Sequence, residues 1–216
     1  MRNLPPKYAT HRRRQVAYDP PTSNAAAITV KIAQDLNDLM MMAAVRSSVF
    51  VGDQTCPYEE EFDGNDFCGA AHLLGFIGDE LAGCIRARFF SEFVHLGRLA
   101  VLPSFRSSRL PFVLVLAAKD YARKKGYRTI YGHSQERYVK FWAHFGAKPT
   151  GRKLVFSDYE YTEMIIDMPP DPEPITLKTD PYVILRPEGS WDVLGVLDAS
   201  AARPATSPSL SARKAA

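Results

Sequence analysis

Nine residues between an apolar, strand-like run (HLGRLAVLP) and an apolar, helix-like run (FVLVLAAKDYARKKG) carry the first hint of chemistry: SFRSSRLPF, Ser104 to Phe112. A basic turn between a strand and a helix is a natural place to hold a phosphate. The amides that open a helix lack intrahelical partners, and the helix dipole favours an anion there. Such turns usually use glycine so that the backbone can approach the anion closely. Here the positions are Arg106-Ser107-Ser108-Arg109-Leu110-Pro111. Pro111 removes one donor, although the first turn of a helix tolerates proline. The two guanidinium groups can grip phosphate in bidentate fashion. The expectation is an anion cradle that keeps its charge and gives up part of its amide geometry.

A second group lies upstream. The spacing of Leu36, Leu39, Met40, Ala43 and Phe50 predicts an amphipathic helix capped by Asp35. Arg46 falls on the stripe Leu39, Ala43, Phe50 that should face the core. A buried arginine needs an acidic partner. Asp63 and Asp66 in EFDGND are placed to supply one, and Arg86 can join them. This set could hold a ligand's carboxylate. The alternative, which we favour, is an ion pair that pins the first helix to the loop after it.

Other chemistry is disfavoured. The cysteines Cys56, Cys68 and Cys84 form no C-x-x-C pair and share no ligand spacing with His72, His95, His133 or His144, so no metal site is expected. An odd cysteine count without a signal sequence favours reduced thiols in the cytoplasm. The net charge of +3 and pI of about 8.7 are too mild to argue for nucleic acid. No apolar run reaches the length of a membrane span.

The elements that must position these residues follow from periodicity. We expect a mobile basic arm over residues 1–26, a folded domain over 27–168, and a Pro-rich, partly disordered extension over 169–216. The stretch from Ala199 to Ala216 is of low complexity and is expected to be disordered. Within the domain, AITVKIA, the pair HLLGFIG and ELAGCIRARFF, VHLGRLAVLP, TIYGHS, and the pair KLVFSDY and YTEMIIDM read as strands. Helices run from Asp35, from Ser108 to Lys125 with Gly126 as the stop, and from Tyr138 to Phe145. The order β-α-β-β-β-α-β-α-β-β is an α/β (α+β) domain built on a mixed, mostly antiparallel central sheet flanked by helices.

This order, together with AVLPSF before the basic turn and QERYVKFWAHFGA after the fifth strand, resembles the GNAT superfamily of N-acyltransferases. The segment VRSSVFVGDQTCPYEEEFDGND resembles a small bacterial branch of that family, and echoes N-acyl amino acid synthases and acyl-homoserine-lactone synthases. In the latter, a similar Arg/Phe/Asp/Arg arrangement shapes the active-site face. The resemblance implies an acyl-CoA co-substrate, most simply acetyl-CoA, with its phosphates on residues 106–111. Arg109 and Pro111 stand where the family has glycines. That departure admits a donor with a single phosphodiester, an acyl carrier protein. The thioester arm is expected along Leu99, Ala100 and Val101, and the acceptor is expected to be a small-molecule amine.

The family's F-Y pair, whose tyrosine is the general acid, reads Phe141-Trp142 here, and indole cannot supply that proton. Tyr138, at i,i+4 spacing, is the substitute candidate. His133 leads the candidate bases, ahead of His95 and Glu92. Period-two alternation places His95 on the same face as Gly97, Leu99 and Val101. Two rival readings remain: an N-acyl amino acid synthase using a longer acyl chain, and a catalytically inactive acyl-CoA-binding module. The C-terminal segment PYVILRPEGSWDVLGVLD could support a homodimer.

Overall fold

A computed structural model of the chain describes residues 26–204, so the expected basic arm lies almost wholly outside the described residues. Seven strands form one sheet: β1 (Ile28–Ile32), β2 (Ala70–Ile77), β3 (Glu80–Phe89), β4 (Val94–Val101), β5 (Thr129–Gln135), β6 (Ala147–Phe156) and β7 (Tyr159–Asp167). Their spatial order is β1-β2-β3-β4-β5-β7-β6. Every neighbouring pair is antiparallel except β4 and β5, which are parallel. The chain divides into two compact units at residues 174 and 175.

Two layers cover the sheet. On one face lie α3 (Leu110–Lys124) and α4 (Val139–Ala143), over a core that includes Leu73, Ile85, Val94, Leu96, Leu114, Ile130 and Met164. On the other face lies α1 (Leu36–Arg46), which runs on into a π-helical turn over Ser47–Asp53. It packs Met42, Val45 and Val49 against Leu74, Phe76, Cys84 and Ala100, and the short α2 (Tyr58–Glu61) follows it. Asp35 caps α1 as expected, its carboxylate accepting from Asp38 N at 2.8 Å. The expected stripe is out of phase, however. Leu36 is 71% and Met40 64% exposed, and the buried face carries Asp38, Met42, Val45, Arg46 and Val49. Asp38 is drawn inward because its carboxylate accepts from Lys31 Nζ at 2.7 Å and Gln34 N at 2.9 Å.

The start of α3 is fixed by two glycines. Gly75 and Gly83 face each other across β2 and β3. A Cβ on Gly75 would lie 2.5 Å from Leu110 Cδ1, and one on Gly83 would lie 2.7 Å from the Ala100 carbonyl oxygen. Their bare backbones make the slot that takes fully buried Leu110, the first residue of α3. Arg109, rather than Ser108, is the N-cap residue. Ser108 still serves this end, its Oγ donating to Phe105 O at 2.6 Å and accepting from Leu110 N at 3.2 Å.

Strand β4 carries a bulge. Cys84 pairs with Ala100 and Arg86 with Gly97, so two residues, Arg98 and Leu99, oppose Ile85 alone. Arg98 takes the left-handed conformation at φ +52°, which is costly for a residue with a Cβ. Its guanidinium is held by Glu61 Oε2 at 2.9 Å and Asp63 Oδ2 at 3.3 Å. The same acids belong to a larger buried cluster. Arg46, 0% exposed, bonds Glu61 and, at 2.6 Å, Asp66 Oδ1. Arg86 bonds both Asp63 oxygens at 2.8 Å and Asp66 Oδ1 at 2.9 Å. Three guanidinium groups thus meet three carboxylates. Burial would raise Asp63 and Asp66, but the hydrogen bonds and charges of the arginines outweigh it and hold both below the usual carboxylate range.

The second unit holds α5 (Pro181–Ile184) and α6 (Val196–Ala202). Arg186 reaches Asp198 at 3.0 and 3.2 Å within it. Ala199–Ala202 is therefore helical rather than disordered, since Asp198 also caps α6 by accepting from Gly195 N at 2.7 Å. The rest of the expected disordered tail, from residue 205, lies outside the described residues.

Two stability outcomes follow. Gly83→Ala presses a methyl group on a backbone oxygen that cannot move aside cheaply, and should cost about 1–3 kcal/mol in urea denaturation. Arg98→Ala and Arg98→Gly both remove the ion pairs, but glycine accepts the left-handed bulge. Arg98→Gly should be the more stable of the two by about 1 kcal/mol. Equal stability would rule out backbone strain at this bulge.

Candidate active site

The parallel pairing of β4 with β5 stops early. It covers only Val94 with Ile130, His95 with Tyr131 and Leu96 with Gly132. Beyond that point the strands fork. Gly132 sits at the fork, where a Cβ would lie 3.2 Å from the Leu96 carbonyl oxygen. A cleft opens there, lined by Leu96, Ile130, Gly132, His133, Trp142 and Met164 among others.

The fork leaves one edge of β4 without a strand partner. Leu102 N donates to Ala82 O at 2.9 Å, so alternation turns the peptide groups of Ala100 towards β3 and those of Leu99 and Val101 towards the open edge. Arg106 Nε donates to Val101 O at 3.2 Å on that side. The expectation for residues 99–101 is therefore corrected at Ala100, whose amide belongs to the β3 ladder. The period-two expectation for His95 is corrected as well. The bulge at Arg98 shifts the phase by one residue, so Val94, Leu96, Leu99 and Val101 face α3. His95 faces the opposite side, against Tyr131 and His133.

The basic turn folds as a 3₁₀ turn over Pro103–Phe105 followed by Arg106–Arg109 at the head of α3. Arg106 is half-exposed and is drawn to Asp53 at the end of the π-helical turn, as well as to Val101 O. Ser107 and Arg109 belong to the same turn. Pro111 stands in the first turn of α3, where its missing N–H costs no helical bond. Tyr138 ends a 3₁₀ turn over Glu136–Tyr138; it is 48% exposed, with the Arg137 guanidinium 5.0 Å from its ring. It is not among the residues lining the cleft, whereas Trp142 is.

The face opposite α3 carries a polar chain that sequence reasoning caught only in part. His133 Nε2 lies 2.8 Å from Tyr131 Oη, and Tyr131 Oη lies 2.8 Å from Glu163 Oε2. Glu163 also accepts from Thr150 Oγ1 at 2.7 Å and from Arg152 at 2.8 Å. The hydrogen bonds from Thr150, Arg152 and Tyr131 lower its carboxyl to about 2, so it is ionised and can only accept. Tyr131 must then donate its one proton to Glu163. Burial, together with the Glu163 contact, keeps that proton on the phenol. The contact with His133 is accordingly Nε2–H donating to Tyr131, which leaves Nδ1 of the neutral ring as an acceptor. Burial lowers His133 below its ordinary value, and lowers His95 to about 4 with help from the His133 charge and three arginines. The period-two pattern of YGHS and YTEM holds the signal for this chain, but pairing β5 with β7 needs the fold.

Arg46, Asp63 and Arg86, the expected ligand-binding set, are consumed by the buried cluster described above. Arg46 meets Glu61 and Asp66 rather than Asp63. Among the described residues no group of three His, Cys, Asp or Glu side chains is placed to hold a metal, and no helix is long and apolar enough to cross a membrane.

Known proteins share this arrangement. Residues 38–147, just over half of the chain, match the Acetyltransferase (GNAT) family. A Bacillus subtilis protein described as an acetyltransferase is 25% identical over 139 residues, covering 63% of this chain and 95% of its own length. The solved structure of an N-acetyltransferase from Lactobacillus plantarum superposes with a TM-score of 0.62 at 17% identity, covering 66% of this chain and 99% of that one. An N-acyl amino acid synthase from uncultured soil microbes has a TM-score of 0.58 at 12% identity, covering 67% and 92%. The forked β4–β5 pair, the α3 turn at its mouth and these matches place the chain in the GNAT acetyltransferase family of N-acyltransferases.

Proposed function

We propose that the protein transfers a short acyl group, most simply acetyl, from a coenzyme A thioester to a small-molecule amine. The observation that carries this reading is the fork between β4 and β5. The amides of Leu99 and Val101 face the edge that β5 has left, so an extended amide-bearing arm can add to β4 as a strand would. The head of α3, with Arg106 and Arg109, stands at the end of that edge, where the arm's phosphates would lie. Arg109 and Pro111 in place of the family's glycines keep a carrier-protein donor as the second reading. Three unpaired thiols suit a protein of the cytoplasm.

His133 is our general base. Its tautomer is set by Tyr131 and Glu163, so Nδ1 can take the proton that the neutral amine nitrogen sheds as it attacks. The amine nitrogen then forms a bond to the thioester carbon, and the carbonyl oxygen gains negative charge. Backbone amides on the open edge of β4 can stabilise that charge. The carbon–sulfur bond breaks, the thiolate leaves, and the proton held by His133 is available to it. Tyr138 has no part in this scheme, being exposed and outside the cleft lining. The inactive-module reading predicts tight acetyl-CoA binding without turnover.

Incubating the full chain with acetyl-CoA and a panel of amines, with thiol release as the readout, tests the proposal; binding without thiol release for any amine would favour the inactive module. His133→Gln should lower kcat/KM about 100-fold while leaving acetyl-CoA affinity intact. Only the neutral ring is active, so activity should fall as pH drops through a pKa below the ordinary histidine value of about 6.5. After correction for the amine's own ionisation, an acid limb at or above 6.5 would contradict this assignment. Replacing Arg106 and Arg109 together by alanine should weaken acetyl-CoA binding by about tenfold or more, measured by calorimetry.

A further inference from the structure

On the same face as His95, one arginine differs from its neighbours. Arg88 pairs directly with His95 across β3 and β4, two residues along from Arg86. Arg86 and Arg98 are matched by the carboxylates of Asp63, Asp66 and Glu61. Arg88 forms no ion pair with an acid among the described residues, and its buried Nε has no hydrogen-bond partner. Its guanidinium carbon lies 5.1 Å from the Phe90 ring centre. Phe90 is stacked on Phe93 at 4.7 Å, and Phe93 meets Tyr131 edge-on at 5.6 Å. Arg88 is thus a partly buried, orientated cation at one end of an aromatic wall whose other end is the Tyr131–His133 pair. Leaving a guanidinium N–H buried without a partner is costly, so this site calls for a hydrogen-bond acceptor, which a bound anion would supply to a cation best.

The anion is not the donor's phosphate. Arg88 and Gly83 pair with His95 and Val101, and five steps along β3 at the usual strand rise place Arg88 roughly 16–17 Å from the end of β4 where the basic turn begins. Building on the acyl-transfer reading, we propose that the acceptor amine carries a carboxylate, as an amino acid does, and that Arg88 binds this carboxylate while the amine lies toward His133. The Phe90–Phe93 pair offers the apolar surface beside it.

The test compares L-phenylalanine with phenethylamine, which lacks only the carboxylate. The wild-type chain should prefer L-phenylalanine, both in kcat/KM with acetyl-CoA and in calorimetric affinity for the coenzyme A-loaded protein. Arg88→Gln should collapse the ratio of the two amines by about 30-fold or more, and Arg88→Lys, which keeps the charge, should retain part of it. An absence of preference in the wild type, or the same ratio in Arg88→Gln, would overturn the proposal. If neither amine is acylated yet the calorimetric preference persists and depends on Arg88, the carboxylate site stands, and the acyl-transfer reading is decided separately by the amine panel.

Discussion

The left-handed turn of the backbone at Arg98 is the constraint on which the rest of this structure depends. A side chain at φ +52° is unfavourable, and here it is tied down by two carboxylates, Glu61 and Asp63. Those carboxylates are themselves held by Arg46 and Arg86. The cluster therefore links α1, the segment before β2, and strands β3 and β4. An ionic cluster of this kind is poor evidence for stability, because desolvation offsets much of the attraction. Its value here is geometric, since it fixes where β4 bulges.

The bulge has two effects that matter for chemistry. It reverses the alternation of β4, so Leu99 and Val101 seal the α3 side while His95 looks out on the opposite side. It also follows directly on the fork, in the part of β4 whose peptide groups no longer pair with β5. The two faces meet at Gly132 and His133, the residues at which the cleft reaches the polar chain. On the proposed reading, the thioester arm and the amine would approach from different sides of one sheet. The polar chain through Tyr131 and Glu163 matters at this junction because it decides which nitrogen of His133 is free.

The basic turn that first marked the sequence plays a more restrained part than its charge implies. Arg106 is partly committed to Asp53 and to Val101 O, so it secures the turn to β4 and to the π-helical segment. Gly75 and Gly83, unremarkable within a hairpin sequence, shape this end of the sheet: their bare backbones admit Leu110, the first residue of α3. A glycine pair of this sort is invisible to periodicity, since its meaning depends on what packs over it.

The sequence determined the order of elements, the Asp35 cap, the hairpin, the mostly antiparallel sheet, and the need for acids around Arg46. Each follows from local spacing, turn chemistry or the cost of burying a charge. Only the tertiary structure decided the phase of α1, the partners of Arg46 (Glu61 and Asp66) and of Arg86 (Asp63 and Asp66), the exposure of Tyr138 and the solitude of Arg88. The reason is the same in each case. Alternation predicts a face only while the strand stays regular, and one extra residue at Arg98 exchanges the faces of everything after it. Likewise, which acid meets which arginine is set by distances across strands, which residues far apart in the chain acquire only when the sheet is formed.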